Sequence, residues 1–146
     1  MNSLPPSLLV PLSQENSSAL SESDALPLPL ERLRVPEALN GHTGSNRTHP
    51  ETTQQLAANN DLEAVQVWLA EFHDSPQTLR TYRKEAERLL LWAILERGKP
   101  LSSLTREDCI LYERFLADPQ PSDRWCGVKS SRFSTRWRPF LGPLAP

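Results

Sequence analysis

The chain has 146 residues, a net charge of −2, 38% hydrophobic side chains and 14 prolines, a poor composition for one compact fold of that length. No stretch approaches the roughly 20 apolar residues of a membrane-spanning helix, and the N-terminus lacks the basic start of a signal peptide. These two absences predict no membrane partner, and two cysteines without an export signal predict a cytoplasmic protein with free thiols.

Residues 1–59 are rich in proline, serine and asparagine and keep no long helical or strand period. Such a segment buries too little apolar surface to offset the cost of ordering its backbone, about 1–2 kcal/mol per residue. The sequence therefore predicts a disordered tail, with one exception: a single helical turn at 36–39, closed by Asn40-Gly41. The run L-P-L-P-L at 26–30 fits an extended docking segment or, as we favour, a disordered spacer.

The first predicted helix begins at Asn60-Asp61, where Asn60 and Glu63 resemble a capping box. A single apolar stripe follows at helical spacing, formed by Leu62, Val65, Leu69 and Phe72 with Trp68 beside it. We expect the helix to end near His73-Asp74, and the short join to the next helix predicts a tight hairpin or corner.

The central predicted helix lies between Ser75 and Gly98. Ser75 is a suitable N-cap and Pro76 suits the first helical position. Gly98 supplies a left-handed end, and Pro100 prevents the helix from resuming. Apolar residues recur at spacings of three and four, namely Leu79, Tyr82, Ala86, Leu89, Leu90 and Ala93. The sequence thus predicts an amphipathic helix with a basic first half.

The third predicted helix is capped by Thr105, with Asp108 three residues later, and stops before Asp118. Its expected buried face consists of Cys109, Tyr112, Phe115 and Leu116. Residues 60–117 therefore predict a small all-α domain of about three helices, with a fourth missing or partial. Its expected core residues are Trp68, Leu69, Leu89, Leu90, Trp92 and Phe115.

Residues 118–146 carry five basic and two acidic side chains and show no clear periodicity, which predicts an irregular tail. The basic residues Arg124, Lys129, Arg132, Arg136 and Arg138 alternate with the aromatic residues Trp125, Phe133, Trp137 and Phe140. Cations with interleaved aromatics suit a nucleic-acid backbone with base stacking. The alternative is that these aromatics pack against a further domain.

The stretch S-P-Q-T-L-R-T-Y-R-K-E-A-E-R-L-L-L-W, followed by G-K-P-L-S-S-L-T-R-E-D-C, resembles a known pattern. It is similar to the N-terminal core-binding (SAM-like) domain of tyrosine recombinases, the phage integrase family. The matching positions are Thr78 with Tyr82, Leu89 to Trp92, and Leu104, Thr105 and Asp108. The resemblance covers about residues 60–117 and, more weakly, the run R-W-R-P-F at 136–140. It implies a SAM-like helical bundle that clamps double-stranded DNA during DNA integration and recombination, with other recombinase protomers as further partners.

The family's chemistry belongs to a C-terminal catalytic domain with an Arg, a Lys, an H-x-x-R motif and a nucleophilic Tyr. No histidine of this chain has an arginine three positions later, and both tyrosines fall within predicted helices. We therefore expect no enzymatic activity and no catalytic residues, and we interpret the chain as a truncated N-terminal piece. Cysteines and histidines lack ligand spacing, so we expect no metal, no cofactor and no small-molecule substrate.

Candidate DNA-binding residues form two sets. The first lies on the basic half of the central helix and consists of Thr78, Arg80, Thr81, Arg83, Lys84 and Arg88. Arg80, Lys84 and Arg88 are spaced by four and share a face that can follow a phosphate backbone or enter a groove. The second set, from the basic tail, consists of Lys129, Arg132, Arg136 and Arg138.

The predicted DNA-binding face and the predicted function of the chain each have an alternative interpretation. The basic helix face can be a solvated surface, partly neutralised by Glu85 and Glu87. The chain as a whole can be a helical protein–protein interaction module with a disordered tail, which docks a partner through exposed Trp and Phe side chains.

Overall fold

The computed structural model describes residues 25–45 and 58–142. Predictions for the remaining residues, including much of the expected disordered tail, lie outside this part of the chain. The helices are α1 (Asp61–Ala70), α2 (Pro76–Leu95), α3 (Arg106–Ala117) and the single-turn α4 (Ser122–Trp125). Short 3-10 turns occupy Glu37–Leu39 and Leu101–Ser103. The small helical fold is confirmed, with a partial fourth helix and the predicted turn after Pro36.

Two short strands complete the described fold. β1 (Cys126–Gly127) pairs in parallel with β2 (Phe140–Leu141), with Cys126 opposite Phe140. The residues between the strands form a loop, 128–139, called here the C-terminal loop. The strand pair joins the two ends of this loop, and hydrogen bonds from Arg88 to Pro139 and from Arg132 to Glu87 hold the loop beside α2.

The helix starts follow the predicted capping chemistry in two cases of three. Thr105 and Asp108 form a complete capping box at α3. At α1, Asn60 accepts the Glu63 N–H at 2.9 Å, but Glu63 in turn accepts the N–H of Asn59 at 2.9 Å. Ser75 makes no side-chain cap bond at α2. Start positions were thus predictable even where the capping bond itself is absent.

The end of α2 has the expected glycine geometry. Gly98 has a φ of +62°, the left-handed conformation that favours glycine. The N–H of Lys99 donates to the carbonyl of Ala93 at 2.9 Å, so one of the last helical carbonyls is satisfied.

Two apolar clusters pack on opposite sides of α2. The first joins the N-terminal segment, α1 and α2, through Leu30, Val65, Leu69, Leu90 and Ile94. The second joins α2 to α3 and α4, through Leu91, Trp92, Phe115 and Trp125. As a result the second half of α2 is buried on all sides, whereas the predicted apolar stripe covered one side.

The expected core was partly right. Leu69, Leu90, Trp92 and Phe115 are buried, while Trp68 and Leu89 are half-buried. On α3 the expected face was wrong at two positions, since Cys109 and Leu116 are exposed. The inward positions of α3 are instead Asp108, Tyr112 and Phe115.

Residues 25–33, called here the N-terminal strap, lie against α2. Leu30 is buried in the first cluster, and its N–H donates to Glu87 at 2.8 Å. Arg32 donates to the carbonyl of Phe133 at 3.3 Å. The tail predicted over 1–59 therefore differs from the structure here, because Leu30 contributes to the core instead of belonging to a spacer.

Residues 118–142 also differ from the irregular tail that was predicted. Trp125 is completely buried, and its indole N–H donates to Glu96 at 2.6 Å. Arg124 donates to the same Glu96 oxygen at 2.9 Å. The segment lacks a helical period because it packs through single aromatic anchors, so periodicity could not reveal it.

Candidate nucleic-acid interface

A cleft of about 460 Å³ lies between the first half of α2 and the C-terminal loop. It brings together the two basic sets, which are some forty residues apart in the chain. The predicted residues that line it are Arg80, Thr81, Arg83, Lys84, Arg88, Lys129, Arg132 and Arg138. Thr78 and Arg136 do not line it. This basic cleft is the candidate site.

Three cations of the basic cleft are available to a ligand. Arg80, Lys84 and Lys129 are exposed, and within the described residues none of them has an ion-pair or hydrogen-bonding partner for its side chain. Arg80 and Lys84 are four residues apart on α2, about 6 Å along its axis. Lys129 belongs to the opposite wall, so free positive charge faces the cleft from both sides.

Arg88 holds the C-terminal loop in place. Its Nε and Nη2 atoms donate to the carbonyl of Pro139 at 3.0 and 2.9 Å. Its guanidinium carbon lies 4.0 Å from the centre of the Phe140 ring, a cation–π contact. Most of its donors therefore serve the fold, although the sequence placed Arg88 with the phosphate-binding residues.

Arg132 belongs to an ion-pair network below the cleft. Its Nη2 lies 2.6 Å from Glu87 and 2.6 Å from Glu31, a residue of the N-terminal strap. Burial works to lower the pKa of Arg132, but hydrogen bonds to the two carboxylates outweigh it and raise that pKa above its ordinary value. Arg132 is a fixed cation with its charge already compensated.

Glu31 also reaches Arg83, whose Nη1 is 3.6 Å from the other Glu31 oxygen. Partial burial works to raise the pKa of Glu31, but hydrogen bonding to Arg132 and the charges of both arginines lower it overall. Glu31 is therefore a carboxylate at neutral pH and neutralises part of the basic cleft.

Arg138 and Thr81 line the cleft but have internal partners. Arg138 donates to the carbonyls of Asp123 at 3.2 Å and Trp137 at 2.8 Å. The Thr81 hydroxyl donates to the carbonyl of Gln77 at 3.2 Å. Of the predicted binding residues that line the cleft, then, Arg80, Lys84 and Lys129 keep their polar groups free within the described chain.

The aromatic residues divide between packing and exposure. Tyr82 stacks on Trp68 with ring centres 5.2 Å apart, and 39% of its surface is exposed. Burial raises the pKa of Tyr112 to about 12, so its hydroxyl stays protonated. Trp137 lines the basic cleft, whereas Phe133 is half exposed beside it. Trp125, expected among the exposed rings, is fully enclosed.

The described residues contain neither a metal-ligand cluster nor a membrane-spanning helix. No group of three or more His, Cys, Asp or Glu side chains in ranges 25–45 and 58–142 can hold a metal ion. Over the same ranges, no helix has the length and apolar character that crossing a membrane requires.

Comparison of the chain with protein-family models, with curated proteins and with solved structures finds no match. A function is therefore inferred from the residues of this chain and from the geometry of the basic cleft.

Proposed function

We propose that this chain is a DNA-binding module similar to the core-binding domain of a tyrosine recombinase. It holds duplex DNA through the basic cleft, contributes to integration or recombination as a clamp, and performs no chemistry itself. The observation that carries the proposal is the placement of Arg80, Lys84 and Lys129, free cations from distant parts of the chain, on the walls of one cleft.

The spacing of the free cations suits a nucleic-acid backbone. Arg80 and Lys84 lie about 6 Å apart along the α2 axis. Each strand carries one phosphate per about 3.4 Å of rise, so these two long side chains can both engage phosphates of one strand. Lys129, on the opposite wall, is available to a further phosphate. Such contacts position a protein on DNA and carry little sequence information.

The chemistry of the chain supports a clamp without catalysis. The sequence has no H-x-x-R motif. Both of its tyrosines serve packing: Tyr82 stacks on Trp68, and Tyr112 lies against Trp92 with ring centres 5.0 Å apart. A tyrosine nucleophile for a phosphodiester would need its hydroxyl free and activated.

The test is a fluorescence titration of a short DNA duplex at several salt concentrations from about 50 to about 200 mM. Three phosphate contacts predict that log affinity falls with log salt with a slope of about −2.7. Each of Arg80→Ala, Lys84→Ala and Lys129→Ala should weaken binding and reduce the steepness of that slope by about 1.

Arg106→Ala and Arg114→Ala are matched controls. Both remove one positive charge from α3, which contributes no residue to the basic cleft. Affinity for DNA should therefore change little in either. A wild-type protein that fails to bind at the lowest salt, or cleft and control variants that weaken equally, would refute the proposal.

A protein-interaction module is the second candidate, and the exposed rim of the C-terminal loop favours it. Val128 and Phe133 are 51% and 50% exposed there. This reading predicts that Phe133→Ala abolishes capture of a protein partner in a pull-down while added DNA has no effect. Trp125→Ala is unsuitable for that test, because Trp125 is fully buried and its loss would disturb the fold.

A further inference from the structure

Two arginines of the basic cleft converge on a single carboxylate. Glu31 places one oxygen 2.6 Å from Nη2 of Arg132 and the other 3.6 Å from Nη1 of Arg83. Both arginines line the cleft, one from each wall, while Glu31 comes from the N-terminal strap. The strap thus supplies an anion to a site built by two other segments.

A phosphate suits the same two partners. It carries more charge than a carboxylate and has more acceptor oxygens, and guanidinium groups bind both anions with paired N–H donors. Arg132 also has a donor to spare, because its buried Nε has no hydrogen-bond acceptor within the described chain. The carboxylates therefore leave the hydrogen-bonding capacity of Arg132 incompletely used.

Glu31 and Glu87 differ in how readily they can be displaced. Glu87 has 3% side-chain exposure and also accepts the Leu30 N–H, so it is a fixed counterion. Glu31 has 41% side-chain exposure, and its carboxylate contacts the two arginines and its own backbone. Its side chain can rotate into solvent while Leu30 keeps the strap in the core.

We propose that Arg83 and Arg132 form a phosphate subsite of the basic cleft, which Glu31 occupies in the free protein as an intramolecular competitor. A phosphate-bearing ligand displaces the Glu31 side chain and leaves the strap seated. The identification of that ligand as DNA rests on the proposed function, whereas the subsite itself depends on phosphate chemistry alone. Glu31 thereby sets the threshold at which the cleft accepts an anion.

The experiment measures binding of inorganic tripolyphosphate by calorimetry at low salt. Glu31→Gln keeps the shape of the side chain and removes its charge, so it should bind about three- to tenfold more tightly than the wild type. Glu113→Gln is the matched control, since Glu113 is an exposed carboxylate on α3 with no partner in the described chain. Equal affinity of the two variants, or no binding by Glu31→Gln, overturns the subsite.

Arg83→Gln tests whether the gain depends on the converging pair. In the Arg83→Gln background, replacing Glu31 by Gln should bring at most a twofold gain, because one wall of the subsite is missing. If Glu31→Gln increased the affinity for tripolyphosphate as much in this background as in the wild type, net charge alone would explain the increase, and the proposal would be overturned. Glu31→Asp withdraws the carboxylate while keeping its charge. Glu31→Asp replaces Glu31→Gln in the experiment if circular dichroism shows that Glu31→Gln is not folded. It should bind tripolyphosphate more tightly than the wild type, by a smaller factor than Glu31→Gln.

A duplex DNA titration of the same proteins separates the two proposals. A gain for tripolyphosphate in Glu31→Gln with no DNA binding by either protein supports the subsite and refutes the DNA function. Salt-sensitive DNA binding with no gain for tripolyphosphate overturns the subsite and leaves the DNA function standing.

Discussion

The two halves of α2 have opposite roles although they belong to one continuous helix. The second half, with Leu90, Leu91 and Trp92, is enclosed by α1, α3, α4 and the strap. The first half is covered on one side and presents Arg80 and Lys84 to the basic cleft. A helix buried all round must be apolar all round, while a half-covered helix can carry charge on its open face. Changes in the second half should affect stability, and changes in the first half should affect binding.

The largest expected effect is on the free energy of unfolding, and it comes from the packing around the second half of α2. Trp125→Ala removes a fully enclosed ring that packs with Phe115 against the second half of α2, and the indole bond to Glu96. The cavity should lower the free energy of unfolding by about 3–5 kcal/mol. Urea denaturation followed by circular dichroism measures this.

Phe133→Ala is the control for that truncation. The Phe133 ring is half exposed and makes one cation–π contact, with Arg32 at 4.9 Å. Its loss should cost less than about 1 kcal/mol. Similar losses for the two variants would contradict the assignment of Trp125 to the core.

The next largest effect involves Asp108, which fixes the start of α3 to the end of α2. Asp108 accepts from Lys99 at 2.6 Å, from the Thr105 N–H at 2.8 Å and from Arg97 at 2.8 Å. The Lys99 bond, followed by the Thr105 N–H, holds the pKa of this carboxyl well below its ordinary value. Asp108→Asn should cost about 2 kcal/mol at neutral pH.

The pKa of Asp108 also predicts the acid behaviour of the protein. A lowered folded-state pKa gives stability that is fully present above the unfolded value, about 3.9, and is lost as the pH falls below it. The difference in unfolding free energy between the wild type and Asp108→Asn should therefore shrink from about pH 4 to about pH 2. Denaturation curves across this range measure it, and a constant difference would count against the ion-paired carboxylate.

The smallest and sharpest comparison is between Arg88→Ala and Arg80→Ala. Arg88 makes two bonds to Pro139 and covers Phe140, so its loss should cost about 1–2 kcal/mol and leave the salt dependence of DNA binding nearly unchanged. Arg80→Ala should alter stability by less than about 0.5 kcal/mol and reduce the steepness of the salt slope. Thermal unfolding measures the stability of the two variants, and the DNA titration measures the salt dependence of their binding. If both variants changed stability and salt dependence equally, the two halves of α2 would not have separate roles.

Local chemistry made much of the helical fold predictable from sequence. Proline at position 76, glycine at position 98 and the Thr105–Asp108 box bracket the helices within a few residues of their observed ends. These signals act over one helical turn, so they can be read without knowledge of the tertiary structure. The burial of Leu91 and Ile94 could not be predicted from such local signals, because segments distant in sequence cover these two residues.

The residues that form the basic cleft were predictable from the sequence, but the internal partners of its cations were not. The sequence identified the cations of both walls, yet it did not indicate that Arg88 and Arg138 would be engaged by carbonyl oxygens or, except through Glu87, that Arg132 would be engaged by carboxylates. One signal existed, since Glu87 follows Ala86 on the side of the helix that leads to Leu90 and Ile94. A carboxylate so placed needs a buried partner, and Arg132 is that partner.

The seating of the strap has a consequence for the order of folding. The Leu30 N–H meets Glu87 across 57 residues of chain, whereas α1 and α2 are joined by a few residues. Closing the longer loop costs more chain entropy, so the helices should assemble first and Leu30 should enter the core last. Stopped-flow measurements on Leu30→Ala should then show faster unfolding with little change in the folding rate. Until that late step the Glu87 carboxylate pairs with Arg132 but lacks the Leu30 N–H, and the first apolar cluster lacks the Leu30 side chain.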